Sequence, residues 1–125
     1  MLIVFSLARA LHTFWRSRLR DFLDGRGPLT LEQAVGPHDC DLGKWLDAVG
    51  MPKYGRTPTM QTLCAVHDEM HAAVRGVLAL QFSGDREAAE REYARVVRLS
   101  DQVVALLDEL DGLMKAHARD GSEAA

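Results

Sequence analysis

Cysteine is scarce in this chain: Cys40 and Cys64 are the only two in 125 residues. Two cysteines do not make a disulfide framework, and nothing in their spacing favours a bridge between them. A long hydrophobic run is also missing. The apolar start, Met1-Leu2-Ile3-Val4-Phe5, is broken by Arg9 and has no basic residue before it. It is too short for a membrane span and lacks the form of a signal peptide, so the expected compartment is the cytoplasm, without membrane insertion. Positive charge is not in excess. The net charge is −3 at pH 7, which argues against a nucleic-acid partner, since that needs a basic patch to displace counterions. Arg9, Arg16, Arg18 and Arg20 cluster in one stretch and read as a solvated helix face rather than an anion-docking surface. Alternating β-branched runs and Asn-Gly turns are absent too, which removes the usual signals of strands and hairpins.

What is present is helical periodicity. Leu11, Trp15, Leu19 and Phe22/Leu23 recur at steps of three and four, predicting a helix over about 3–23 with His12 at the edge of its apolar stripe. Asp24-Gly25-Arg26-Gly27-Pro28 stops it. Thr30-Leu31-Glu32-Gln33 has the form of a capping box, which predicts a short helical turn before Gly36-Pro37. Leu42, Trp45, Leu46 and Val49 keep a helical period, with Asp39 as the expected N-cap and Cys40 in the first turn, where the helix dipole favours a thiolate. Residues 50–56 read as a loop. Thr57-Pro58 opens a helix to about Phe82, Ser83-Gly84-Asp85 breaks it, and a last helix runs over about 86–117, on the order of 45 Å at ~1.5 Å per residue. The expected architecture is an all-α four-helix bundle, with three long helices and one short helix that carries Cys40. It occupies residues 1–117, followed by a polar tail at 118–125.

His67 and His71 stand four apart in a stripe otherwise made of Met60, Leu63, Met70, Val74 and Val77. That spacing puts both imidazoles on one helix face, one turn apart, where a single metal ion could take both. Cys40 and His12 are the natural additions from two other helices, making three nitrogens and one sulfur. The competing reading is that these are packed histidines and a small apolar cysteine. Residue spacing alone leaves the two readings level. Asp39, Asp41, Asp68 and Ser100 are candidates to support the ligands from behind. His38 is expected to point away, Cys64 to pack in the core, and His117 to lie exposed in the tail.

Three blocks, in order, carry a resemblance. They are His12-Thr13-Phe14-Trp15, then Cys40-Asp41-Leu42-Gly43-Lys44-Trp45, then His67-Asp68-Glu69-Met70-His71. Together they resemble the chemoreceptor zinc-binding (CZB) domain family, whose pattern is His-x-x-Trp, Cys-x-Leu/Phe-Gly-x-Trp and His-x-x-x-His. The likeness spans about residues 7–113. It implies a four-helix zinc module in the cytoplasm, often a homodimer, usually fused to a chemoreceptor or a diguanylate cyclase whose output it regulates. It also implies that His12, Cys40, His67 and His71 are the Zn2+ ligands. The chain carries neither a chemoreceptor hairpin nor a cyclase domain, so it reads as a free-standing member acting on a partner or as a piece of a larger protein.

Four protein ligands leave no position for a substrate, so the expected role is sensing rather than catalysis. The input is zinc availability or oxidation of the Cys40 sulfur, for instance by hypochlorous acid. Cys40 is the expected moving ligand, with His12, His67 and His71 as the fixed side. The alternatives are a metal-free helical dimerisation module and, less favoured, a zinc hydrolase. The hydrolase motif needs Glu directly after the first His, where this chain has Asp68.

Overall fold

The computed structural model describes residues 5–34 and 36–120. They form α1 (Phe5–Leu23), α2 (Asp41–Trp45), a π-helical turn (Leu46–Gly50), α3 (Met51–Tyr54), α4 (Pro58–Phe82) and α5 (Arg86–Asp120). There is no strand among the described residues. The all-α expectation therefore holds, with three long helices and one short, interrupted helical segment.

α1 buries Ala8, His12, Leu19 and Leu23. The buried face is thus turned from the expected one: Leu11 points outward and His12 sits on the inner stripe rather than at its edge. Helical steps of four and seven connect these positions, so the small Ala8 marks the face better than the larger Leu11. Gly25 ends the helix at φ +74°. Its left-handed conformation lets the Arg26 N–H reach the Asp21 carbonyl at 2.8 Å, closing the orphan C-terminal carbonyls.

The Thr30–Gln33 capping box forms in full. The Thr30 N–H donates to Gln33 Oε1 at 2.9 Å and the Gln33 N–H to Thr30 Oγ1 at 3.3 Å. It caps a single turn, because Gly36-Pro37 follow before a helix can extend. The Arg75 guanidinium donates to the Ala34 carbonyl at 2.7 Å, fastening this loop to α4.

Two expectations for the short segment are corrected. The N-cap of α2 is Cys40 rather than Asp39. The stretch after Val49 is not a loop: the π turn passes directly into α3. Pro52 lacks an N–H, and its ring crowds the carbonyl four residues back. The wider π turn immediately before it lets the chain stay helical past that obstacle.

Thr57 caps α4, its hydroxyl accepting from the Met60 N–H at 3.3 Å, with Pro58 in the first turn. Asp85 caps α5, accepting from the Ala88 N–H at 3.0 Å. α5 continues to Asp120, beyond the stop expected at His117. The His117 side chain and residues 121–125, where the tail was expected, lie outside the described residues.

α5 is the spine. Arg9 pairs with Asp108 at 2.7 Å, Arg16 with Asp101 at 2.8 Å, and Arg20 with Glu90, so α1 runs antiparallel to α5. Thr59 donates to Glu109 at 2.8 Å and Arg95 pairs with Glu69 at 3.5 Å, so α4 is antiparallel to α5 as well. α1 and α4 therefore run parallel, and the cap of α2 reaches α4 through Cys40 and His67. Arg9, Arg16 and Arg20 thus work as ties between helices, while Arg18 lies 5.1 Å from the Trp15 ring. The core is Leu19, Leu23, Trp45, Met60, Leu63, Val77, Leu78, Val96, Val103, Leu107 and Leu110.

Candidate metal centre

Cys40 adopts extended backbone, φ −79° and ψ 161°, the conformation an N-cap requires. Its sulfur accepts the Gly43 N–H at 3.3 Å and approaches the Pro37 carbonyl at 3.8 Å. Gly43 is needed for this arrangement: a β-carbon there would overlap the Pro37 carbonyl oxygen. The cap therefore holds the sulfur in one place, turned towards α4.

α4 supplies the imidazoles. His67 is 1% exposed, deep in the buried stripe. Its Nε2 lies 3.3 Å from Cys40 Sγ and 3.1 Å from His71 Nε2. The donor atoms of Cys40, His67 and His71 all lie within 4.8 Å of one another. Tetrahedral zinc with bonds of ~2.0–2.3 Å sets its ligand atoms roughly 3.3–3.7 Å apart. The two edges at His67, 3.3 and 3.1 Å, are close to that, and the set of two nitrogens and one sulfur is the chemistry zinc prefers. These residues fit the ion.

His12 comes near but stands apart. Its ring centroid is 6.0 Å from that of His67, at 58° between the planes, and it is not a member of the compact triad. Of the four residues expected to meet, three converge and the fourth borders them.

Burial decides the protonation states. The His12 imidazole is pushed down to about 4, first by desolvation and then by His71. His67 is pushed down to about 3 by desolvation, with His71, His12 and His38 adding to it. Both rings are therefore neutral near pH 7, the form that ligates. Burial raises the Cys40 thiol, only partly countered by the Gly43 and Leu42 N–H groups. Desolvation outweighs the helix dipole that was expected to favour a thiolate, so the thiol gives up its proton as metal binds.

The flanking residues divide. His38 donates outward, its Nδ1 2.8 Å from Asp47, and that carboxylate raises it. Cys64 is half-buried against the core. Asp39 and Asp41 line a cavity beside the centre. Ser100 is 1% exposed, and its hydroxyl lacks a hydrogen-bond partner among the described residues.

That cavity was not anticipated from the sequence. It measures about 480 Å³ and lies between α1, α2, α4 and α5, with His12, Cys40 and His71 on its wall. Leu7, Leu11, Trp15, Trp45 and Met70 make it mainly apolar. Its one signal in the sequence was the small Ala8 on the inner face of α1, where a larger side chain would have filled space.

A family model described as "Chemoreceptor zinc-binding domain" matches residues 12–78, more than half of the chain. The match is narrower than the 7–113 likeness read from the motifs. It begins at His12, takes in Cys40, His67 and His71, and ends within α4, leaving α5 outside. No curated protein and no solved structure matches the chain.

Proposed function

Because the chain belongs to the chemoreceptor zinc-binding domain family, with zinc as its cofactor, we propose that it is a regulatory zinc module whose ligands are His12, Cys40, His67 and His71. The observation that carries this reading is the convergence of Cys40, His67 and His71, with donor edges of 3.1 and 3.3 Å, from two separate parts of the chain. Cys40 of the α2 cap, His67 and His71 of α4 and His12 of α1 would hold the ion, which when bound would cross-link these three elements. His12 completes a closed set of four, which leaves no site for a substrate and suits sensing rather than hydrolysis.

On this reading the unit is a helical bundle that acts in the cytoplasm and extends to the end of α5 at Asp120. Among the described residues no helix is long and apolar enough to cross a membrane. One input is zinc availability. The second is oxidation of Cys40, where the sulfur takes oxygen from hypochlorous acid, chloride leaves, and the sulfenic acid formed is a poor ligand. The output passes to a chemoreceptor or a diguanylate cyclase. Leu7 and Phe14 are 54% and 56% exposed on one side of α1, an apolar surface that suits a homodimer.

The deciding experiment is the metal content of protein purified without chelator. Close to one zinc per chain is expected. A chain that is metal-free, and that does not take up added zinc, overturns the reading and leaves a helical interaction module.

A further inference from the structure

The 480 Å³ cavity leads to the sulfur of the centre. Cys40 is on its wall, whereas His67 and Cys64 are not. Its buried lining is apolar and includes Leu19, Leu42, Trp45 and Val96. Its exposed lining marks the mouth. Leu7 and Leu11 form one part of that mouth. Asp39 and Asp41 form another, both exposed and placed on either side of Cys40 in the chain. Asp41 is close enough to oppose ionisation of the Cys40 thiol. Arg16 also lines the cavity, but its guanidinium is held by Asp101 at 2.8 Å. The His12 ring on the wall is neutral near pH 7. The approach to the sulfur is thus apolar and of negative sign. Bringing any ion against such walls costs part of its hydration. An anion is also set against two carboxylates. A small uncharged molecule meets neither cost, and the space is ample for one, since a water takes up about 30 Å³.

We propose that this cavity is the entry route to the Cys40 sulfur and that Asp39 and Asp41 set its selectivity: it admits small uncharged electrophiles of the X–OH class and turns away anionic ones. This rests on the oxidation input read above and names which reagents can use it. In the step itself the thiolate sulfur bonds to the oxygen of X–OH and the O–X bond breaks. X departs as an anion with the electron pair, and Cys40 is left as sulfenic acid. The same two carboxylates that repel an incoming anion favour the departure of this one.

The test uses three methanethiosulfonate reagents that differ in charge: the uncharged methyl compound, the anionic sulfonatoethyl compound and the cationic trimethylammonioethyl compound. With each, the cysteine sulfur forms a disulfide to the transferred sulfur and methanesulfinate leaves. Rates at Cys40 are followed by mass spectrometry on the full chain carrying Cys64→Ala, as purified and after removal of metal. Each rate is divided by that of the same reagent with 2-mercaptoethanol. The expected order is uncharged, then cation, then anion. Cation and anion are expected to differ by roughly tenfold or more at low salt, with the gap closing as salt screens the carboxylates. Asp39→Asn with Asp41→Asn is expected to speed the anion, slow the cation and leave the uncharged reagent little changed. Leu11→Trp, at an exposed position of the mouth, is expected to slow all three while helical signal is kept. Equal normalised rates for the three reagents overturn the proposal, as does an anion rate that the paired Asn changes leave unmoved. An uncharged rate unaltered by Leu11→Trp overturns the cavity as the route. A wild type that takes up no zinc overturns the zinc reading, while the labelling of metal-free chain still decides the route.

Discussion

The sulfur of Cys40 stands 3.3 Å from Nε2 of His67, across 27 positions of sequence and between two helices that share no turn. Each is placed by its own local device. The Gly43 N–H captures the sulfur at the start of α2, and the buried stripe of α4 carries the imidazole inward. Their meeting is the foundation of the site.

Removing either member should therefore release metal, while the second cysteine should not matter. Cys40→Ala and His67→Ala are expected to lose zinc under a chelator challenge that the wild type survives. Cys64→Ala is expected to behave like the wild type, since Cys64 is outside the triad. Equal retention by Cys40→Ala and Cys64→Ala in a competition titration would exclude Cys40 as a ligand.

Gly43 should be intolerant of any side chain. Gly43→Ala drives a methyl into the Pro37 carbonyl, so the turn holding Cys40 must open. The expected cost is about 1–3 kcal/mol of stability, the usual scale of overpacking, together with weaker zinc binding. Thermal unfolding of the metal-free variant separates the two effects. An unchanged melting temperature would show that the turn yields freely.

The metal-free protein should lose stability as pH falls. His12 and His67 titrate at about 4 and about 3 when folded and near 6.5 when unfolded. Below 6.5 the unfolded chain binds more protons, so the contribution of both rings is fully present above 6.5. It is lost as pH falls from 6.5 through the folded values, by an amount on the order of a few kcal/mol. The raised His38 works in the opposite sense: its contribution is present below 6.5 and lost as pH rises through its folded value. Urea unfolding between pH 7 and 5 checks the balance, ahead of most carboxylate titration. Stability that holds level over that range would contradict the burial of these rings.

The exposed apolar side of α1 should control association. Leu7→Glu with Phe14→Glu places charge on two outward positions and is expected to shift a homodimer to monomer in sedimentation velocity without loss of helical signal. A dimer that survives both changes would place the interface on another face.

Much of this was legible in the sequence because its physics is local. The Thr57 and Asp85 caps, the stop at Gly25 and the capping box at Thr30 and Gln33 depend on neighbours within five residues, and each forms as read. The placement of His67 and His71 on one face follows from helix geometry alone. The errors fall where a local signal met a competing constraint. Asp39 is the better capping side chain in general, yet Cys40 holds the cap because the Gly43 N–H points at its sulfur. Residues 50–56 read as a loop, and the π turn instead carries the chain into α3 past Pro52.

The amino-acid sequence by itself determined that the chain is helical, where α4 and α5 begin, and which side chains have the chemistry to hold zinc. Each of these follows from dihedral preferences, hydrogen-bond capping and donor atoms that a residue carries anywhere. Only the tertiary structure decided that Cys40, His67 and His71 meet, that the His12 ring lies 6.0 Å from that of His67, and that a cavity opens beside them. Those outcomes depend on how α1 and α4 lie against α5 and how completely small residues such as Ala8 fill the space between them. That is a sum over many distant contacts, and no stretch of sequence contains it.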